Sequence, residues 1–382
     1  MSSPVGSSVA SAARAALEQQ LDEMVATLGE LVSIESPTDS PDGLRRMADH
    51  LAELFASFGP VERFCQEGAG DHLLLRVPGQ VEDAPVLALC HYDTVWPLGS
   101  LAENPFRVED GLARGPGVFD MKGGIVCLLY ALRALAGRPR RPLWALFTSD
   151  EETGSRTSRP LIEELARQSA CVLVFESPLP GGTLKTARKG VGRYTVTIEG
   201  RAAHAGVEPE KGISAAQEAA HQVLAIHALN APERGTTVNV GVVRAGTRAN
   251  VVAARAELEV DVRVARADEA ERVDRALRGL TPVLAGARIR VEGGLNRPPM
   301  ERIPATAALF ERARAIAAAM GVDLREGATG GASDGNFTAA LGIGTLDGLG
   351  PEGEGAHAAH EHVIVESLPR RAALAAGLLA DL

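Results

Sequence analysis

Three short apolar runs each lead directly into acidic or imidazole side chains, and this repetition restricts the possible folds more than any other feature of the chain. Val86–Cys90 runs into His91 and Asp93, Leu143–Thr148 into Asp150, Glu151 and Glu152, and Cys171–Phe175 into Glu176. Runs of this length and apolarity predict strands buried on both faces, as in the parallel sheet of an α/β protein. Sheets of that kind hold their ligands just beyond the carboxyl ends of the strands. A further run, His72–Val77, predicts one more strand, and Gly123–Ala136 predicts a helix. Apolar positions at Leu17, Leu21, Met24, Leu28 and Leu31, then at Leu44, Met47, Leu51 and Leu54, predict two entry helices over residues 12–58, divided by Pro37 and Pro41.

The texture changes near residue 191. Strands at Tyr194–Ile198, Thr236–Val243 and Ala256–Val264 alternate with helices at Ile213–Leu229 and Asp268–Leu280, which suits a small α+β sandwich. Beyond Asn296-Arg297-Pro298-Pro299, an Ala-rich helix, a Gly-rich segment and a final helix rejoin the first pattern. A chain of 382 residues has room for two domains. The expected organisation is a discontinuous α/β domain, 1–188 with 299–382, interrupted by an inserted domain at 189–298.

A formal charge of −10 without a basic run argues against a nucleic-acid surface and favours small-molecule partners. Residues 1–20 lack the apolar core of a secretory signal and no stretch reaches membrane-spanning length, so a cytoplasmic protein without membrane association is expected. Cys65, Cys90, Cys127 and Cys171 are scattered and form no CxxC pair, which predicts neither a disulfide nor thiolate-bound zinc.

The chemistry gathers at the strand ends. His91 and Asp93 fall on one side of an extended chain, so Asp93 can hold one ring nitrogen of His91 and leave the other for a metal. Asp120 lies in the Gly-dense stretch Gly115–Gly124, either close to a site or as N-cap of the following helix. Asp150, Glu151 and Glu152 would raise one another's pKa at the mouth of a buried strand unless cations neutralised them. One of Glu151 and Glu152 can bind metal while the other moves protons. Glu176 ends its own strand, and the loop Gly355–His362 offers His357, His360 and His362, of which one suffices as a ligand. The nitrogen and oxygen donors suit zinc, cobalt or manganese.

The segments HYDTVWPLGSLAENPFRVEDGLARGPGVFDMKGG, LFTSDEETGSR, VFES, GRAAHAG, ANVVAARAELEVDVR, TGGASDG and GAHAAHEHV follow in order from the first strands to the C-terminus. In them the chain resembles the M20 family of metallopeptidases, and within it the glutamate carboxypeptidases. The resemblance implies a zinc-exopeptidase-like three-layer catalytic domain carrying an inserted, ferredoxin-like α+β sandwich through which a homodimer forms. It implies two zinc ions, with cobalt or manganese as substitutes, bridged by Asp120. His91 and Glu176 would complete one site, and Glu152 and His357 the other. Glu151 would be the general base, Asp93 would support His91, and a cis peptide would follow Asp120. His204 would reach the partner subunit's active site as an oxyanion donor. Arg263, Asn250 and Arg297 would meet the substrate carboxylates, with contacts from Gly331 and Ser333.

The expected reaction is hydrolysis of an amide next to a free carboxylate in an N-acyl or peptidyl amino acid, releasing C-terminal glutamate. The alternative is an aminoacylase acting on N-acyl amino acids. After His357 the chain reads Ala-Ala-His-Glu-His in place of the family's usual spacer and Glu-Tyr, which keeps His360 and His362 as alternative ligands. The alanine of TGGASDG and the segment KTARKG also depart from the folate-cleaving members.

Overall fold

In the computed structural model, which describes residues 4–382, the apolar runs form the middle of an eight-stranded sheet. Residues 1–3, the start of the segment read for a secretory signal, lie outside the described residues. The strand order is Val61–Phe64, His72–Val77, Leu143–Thr148, Val86–His91, Cys171–Val174, Thr345–Asp347, Leu184–Arg188 and Glu326–Thr329. The four strands from Leu143–Thr148 to Thr345–Asp347 run parallel to their neighbours. Antiparallel pairs flank them on either side.

The period of two splits these strands between two cores. Leu73, Leu75, Ala88, Cys90 and Leu173 pack with helices Pro41–Phe55, Gly123–Ala134, Pro304–Ala319 and Ser367–Asp381. Leu74, Leu87, Leu89, Leu146 and Val174 pack on the opposite side with helix Arg159–Arg167 and with Phe337 of the helix Gly335–Ala340. Burial on both faces is the reason these strands are apolar without alternation. The result is a three-layer α/β architecture.

By its internal contacts the chain divides into two units. One contains the described residues up to Thr186, Arg302–Thr329 and Ser333–Leu382; the other contains Ala187–Glu301 and Gly330–Ala332. The second unit has a four-stranded antiparallel sheet in the order Thr237–Ala245, Arg255–Val264, Gly190–Glu199, Arg288–Arg297. Helices Ala215–His227 and Ala267–Arg278 share its core, which includes Val196, Leu258, Val262, Ala219 and Val273. The chain order strand-helix-strand-strand-helix-strand with this pairing is ferredoxin-like.

The N-terminal helices differ from expectation. Three are present, Pro4–Glu18, Leu21–Ser33 and Pro41–Phe55. The first two part at Gln19 and Gln20, where no glycine or proline marks the break, so the apolar spacing ran on unbroken through the turn. Pro41 starts a helix rather than stopping one: it is the first helical residue, and the Ser40 hydroxyl accepts the Gly43 amide at 3.2 Å. All four cysteines are free, with Cys65 exposed and the others buried. Among the described residues no helix is long and apolar enough to cross a membrane.

Candidate metal centre

The strand Val86–His91 lies between Leu143–Thr148 on one side and Cys171–Val174 on the other. The chain passes from one side of this strand to the other, by helix Gly123–Ala134 on one face of the sheet and helix Arg159–Arg167 on the opposite face, and such a reversal is where an α/β sheet holds its ligands, beyond the carboxyl ends. His91 closes this strand and is 2% exposed. Its Nδ1 faces the Asp93 carbonyl at 3.0 Å, and its Nε2 lies 3.1 Å from Asp120 Oδ1 and 3.4 Å from Glu176 Oε1. The Asp93 carbonyl thus takes the role expected of its carboxylate, which stands 3.4 Å from Nδ1.

Asp120 is not a helix cap. The helix begins at Gly123, and Asp120 sits in the preceding turn Val118–Lys122, followed by a cis peptide to Met121. The approach is close enough to require glycine nearby, because a Cβ on Gly124 would stand 1.9 Å from the Phe175 carbonyl oxygen. The second oxygen of Asp120, Oδ2, meets His357 Nε2 at 3.2 Å, and the same nitrogen lies 3.2 Å from Glu152 Oε2. One carboxylate therefore stands between two imidazoles, and each imidazole has a further carboxylate of its own.

His357 reaches this point from the far end of the sequence. A small sheet pairs Gly353–Glu354 with His362–Ile364, and the latter with Leu112–Arg114. The loop between its first two strands carries His357 at φ +63°. Gly355, at φ +81°, has no room for a side chain, since a Cβ would lie 2.9 Å from His360 and 3.0 Å from the Glu361 backbone. The His360 carbonyl accepts Arg114, and His362 Nδ1 contacts the same carbonyl. Of the three histidines, His357 is the one brought to Asp120.

The donor set fits divalent cations. His91, Asp120 and Glu152 each offer a ligand atom within 4.8 Å of one another. Glu152 Oε1 is buried and has no hydrogen-bond partner among the described residues, a costly state for a carboxylate oxygen that a coordinated cation would relieve.

Protons shared among these groups show how strongly the site favours positive charge. Burial opposes the His91 imidazolium, but hydrogen bonds to Asp120, Asp93 and Glu176 overcome it and hold the ring well above the ordinary histidine value. Asp120 and Glu152 raise His357 to about 10. Burial pushes Glu152 up to about 7, whereas Asp120, though buried, is held below the carboxylate range by His357 and His91. Ligation needs neutral imidazole and ionised carboxylate, so entering cations must displace these protons. We expect loading at pH 7 to release about two protons per chain, and fewer as the pH rises toward 10. Calorimetric titration with zinc in buffers of different ionisation enthalpy measures this; heat independent of the buffer would contradict it.

The acids at the strand ends divide their tasks. Asp93 is fully buried, and its carboxylate accepts the Thr38 hydroxyl at 2.7 Å and the amides of Glu151 and Glu152 at 3.2 and 3.1 Å. It fixes the turn that presents both glutamates. Among the described residues Asp150 joins no cation cluster: it accepts the Thr157 amide and hydroxyl at 2.7 and 2.8 Å and so shapes the following loop. Of the three adjacent acids, Glu152 is the one found in the cluster with His91 and Asp120.

Sequence reasoning missed Glu361 altogether. Its side chain is fully buried, and each carboxylate oxygen accepts two N–H groups. Burial pushes this carboxyl upward against those donors. With every oxygen facing two donors there is no place for a proton, and the group is ionised. The signal available in the sequence was an acid flanked by His360 and His362.

The remaining expected residues are described within their own units. His204, Asn250, Arg263, Arg297 and Gly331 belong to the ferredoxin-like unit. His204 is exposed, with Nδ1 accepting the Gly206 amide at 3.2 Å, and the Asn250 carbonyl accepts the Ala205 amide at 3.0 Å. Arg263 makes a two-point ion pair with Asp261, Nε to Oδ1 at 2.9 Å and Nη2 to Oδ2 at 3.1 Å, and donates to the Gly330 carbonyl at 3.4 Å. The Gly331 carbonyl accepts Arg188 at 3.3 Å. Arg263 and Arg297 are both register partners of Val191, from its two neighbouring strands, and Arg297 is 4% exposed. Ser333 does not offer its hydroxyl to a ligand, because it is fully buried and donates to Asp347 at 2.6 Å.

A carboxylate held between two imidazoles at the switch point of an α/β sheet, with further carboxylates beside it, is the arrangement of a metallohydrolase. The chain belongs to the peptidase family M20/M25/M40, whose model matches residues 87–381. It is 33% identical to Carboxypeptidase G2 of Pseudomonas sp. (strain RS-16), over 97% of this chain and 91% of that protein. It is 27% identical to succinyl-diaminopimelate desuccinylase of Ectopseudomonas mendocina, over 75% of this chain and 80% of that protein. Among solved structures, aminopeptidase PepT from Bacillus cereus matches with a TM-score of 0.78 at 25% identity, covering 94% of this chain and 98% of that one.

Proposed function

We propose that this M20 metallohydrolase is a carboxypeptidase that releases C-terminal glutamate from N-acyl or peptidyl glutamates. The observation that carries the reading is the common register of Arg263 and Arg297 with Val191. Directly paired residues of an antiparallel sheet project to one face, and a bulge between Leu295 and Arg297 brings Arg297 opposite Val191, so the two arginines start roughly 10 Å apart, two strand spacings, on the same side. Val262 and Val264, which alternate with Arg263, are buried in the core with the helices, so this is the sheet's other side. A pair of cations suits a leaving residue with two carboxylates. Asp261 orients the Arg263 guanidinium while leaving N–H groups for the α-carboxylate, and Arg297 supplies charge for the side-chain carboxylate. Similarity to a protein named Carboxypeptidase G2 supports the same choice.

Two divalent cations, zinc or its substitutes cobalt and manganese, would lower the pKa of water at the site and polarise the scissile carbonyl. His91, Asp120 and Glu176 would hold one, and Asp120, Glu152 and His357 the other. Glu151 takes the proton of the attacking water and delivers it to the leaving amine. His204 of the partner subunit donates to the developing oxyanion, in a homodimer formed through the ferredoxin-like unit, and Asn250 and Gly331 complete the substrate contacts. The protein acts in the cytoplasm.

The likeness to a desuccinylase favours a second reading, deacylation of N-acyl amino acids in general. Comparing N-benzoylglutamate with N-benzoylleucine and N-acetylmethionine on the zinc enzyme separates the two. We expect glutamate to be preferred by about tenfold or more in kcat/KM, the worth of a charge-assisted hydrogen bond of roughly 1.5–3 kcal/mol. Arg297→Gln should reduce that preference mainly by raising KM. Equal rates on all three substrates would favour the aminoacylase.

A further inference from the structure

One buried carboxylate ties the Asp120 turn to the loop that carries His357. Glu361 Oε1 accepts the amides of Phe119 at 2.9 Å and Asp120 at 3.0 Å. Its Oε2 accepts the Gly117 amide at 3.0 Å and the Trp96 indole at 2.7 Å. Glu361 lies on the loop of His357, four residues further on, and the Glu361 amide donates to the Ala358 carbonyl at 2.8 Å, closing that loop on itself. Three of the four amides of the Gly117–Asp120 turn are therefore aimed at one anion, and only that of Val118 goes to a backbone carbonyl, Gly115. An ionised acceptor makes such hydrogen bonds short and strong, and few side chains other than a carboxylate can receive four N–H groups.

We propose that Glu361 is a positioning residue that sets the Asp120 carboxylate between His91 and His357, and so fixes the geometry and affinity of both cation sites without touching either cation. Groups that orient ligands in this way commonly contribute about 10–100-fold to metal affinity. Glutamine at this position has the same shape, yet whichever way its amide turns, an NH2 must face two N–H donors. The side chain would have to rotate away, and the Asp120 turn would lose its anchor.

The inference rests on Asp120 being a shared ligand, so Asp120→Asn is measured alongside. In Glu361→Gln we expect zinc dissociation constants raised by about 10–100-fold and an altered visible spectrum of the cobalt-loaded protein. In metal-saturated protein kcat should fall while KM stays within about twofold. A residue that only stabilised the fold would lower the melting temperature and leave the cobalt spectrum alone. Should Glu361→Gln fail to fold, Glu361→Asp and Trp96→Phe are read in the same way. Unchanged cobalt spectra and zinc affinities in the folded variants overturn the role of Glu361 if Asp120→Asn has lost metal. If Asp120→Asn binds metal like the parent, it is the reading of Asp120 that has failed.

Discussion

Glu151→Gln is expected to lower kcat by about 10²–10⁴-fold, the usual contribution of a positioned proton carrier, while metal content stays that of the parent. Glu151 and Glu152 open the single turn Glu151–Thr153 after the strand Leu143–Thr148, and Asp93 holds both of their amides. Adjacent side chains on such a turn point different ways. Glu152 is directed at His357, within 3.2 Å, and so joins the Asp120 cluster. In the proposed mechanism it is Glu151 that carries the proton. Glutamine preserves its size and hydrogen bonding but cannot accept the proton of the attacking water. Metal analysis beside steady-state kinetics checks the assignment. If Glu151→Gln loses zinc and Glu152→Gln keeps it, the two roles are reversed.

Stripping the cations with a chelator should abolish turnover, and zinc should restore it. Asp120→Asn should reach the same end without a chelator. Asp120 is in contact with both His91 and His357, so losing its charge weakens both sites at once. An asparagine would turn an NH2 toward one of the two nitrogens, where a donor cannot ligate. We expect zinc bound by Asp120→Asn to be lost on dialysis that the parent survives, and its activity to fall to background. Full activity of the parent after exhaustive chelation, with metal analysis confirming removal, would remove the basis of the whole mechanism.

What could be read from the chain follows from how local each signal is. The central strands were legible because burial on both faces writes an uninterrupted apolar run. The acids and imidazoles that follow those runs were legible because parallel strands end at a common edge. Asp120 was ambiguous from composition alone, since an aspartate three residues ahead of a helix looks like a cap. Only its contact with His357, from the other end of the chain, sets it apart from a cap. Glu361 was not legible because its partners at residues 96 and 117–120 lie far away in sequence, and an acid between two histidines draws no notice. Ser333 failed in the opposite sense: a polar residue in a Gly-rich stretch suggests contact with a ligand, yet the fold turns it inward to Asp347. The break at Gln19 and Gln20 passed unseen because both helices continue one apolar spacing.

Arg188 and Met300 exchange both backbone hydrogen bonds, each at 3.0 Å, so the ferredoxin-like unit departs and returns through one paired neck. It brings its own core and borrows only residues 330–332 from the rest of the chain. On the proposed function, recognition and bond cleavage are in this sense separately inheritable. A module spliced in at the same neck from another member could bring a different choice of leaving group to unaltered hydrolytic machinery, provided the short borrowed stretch travels with it.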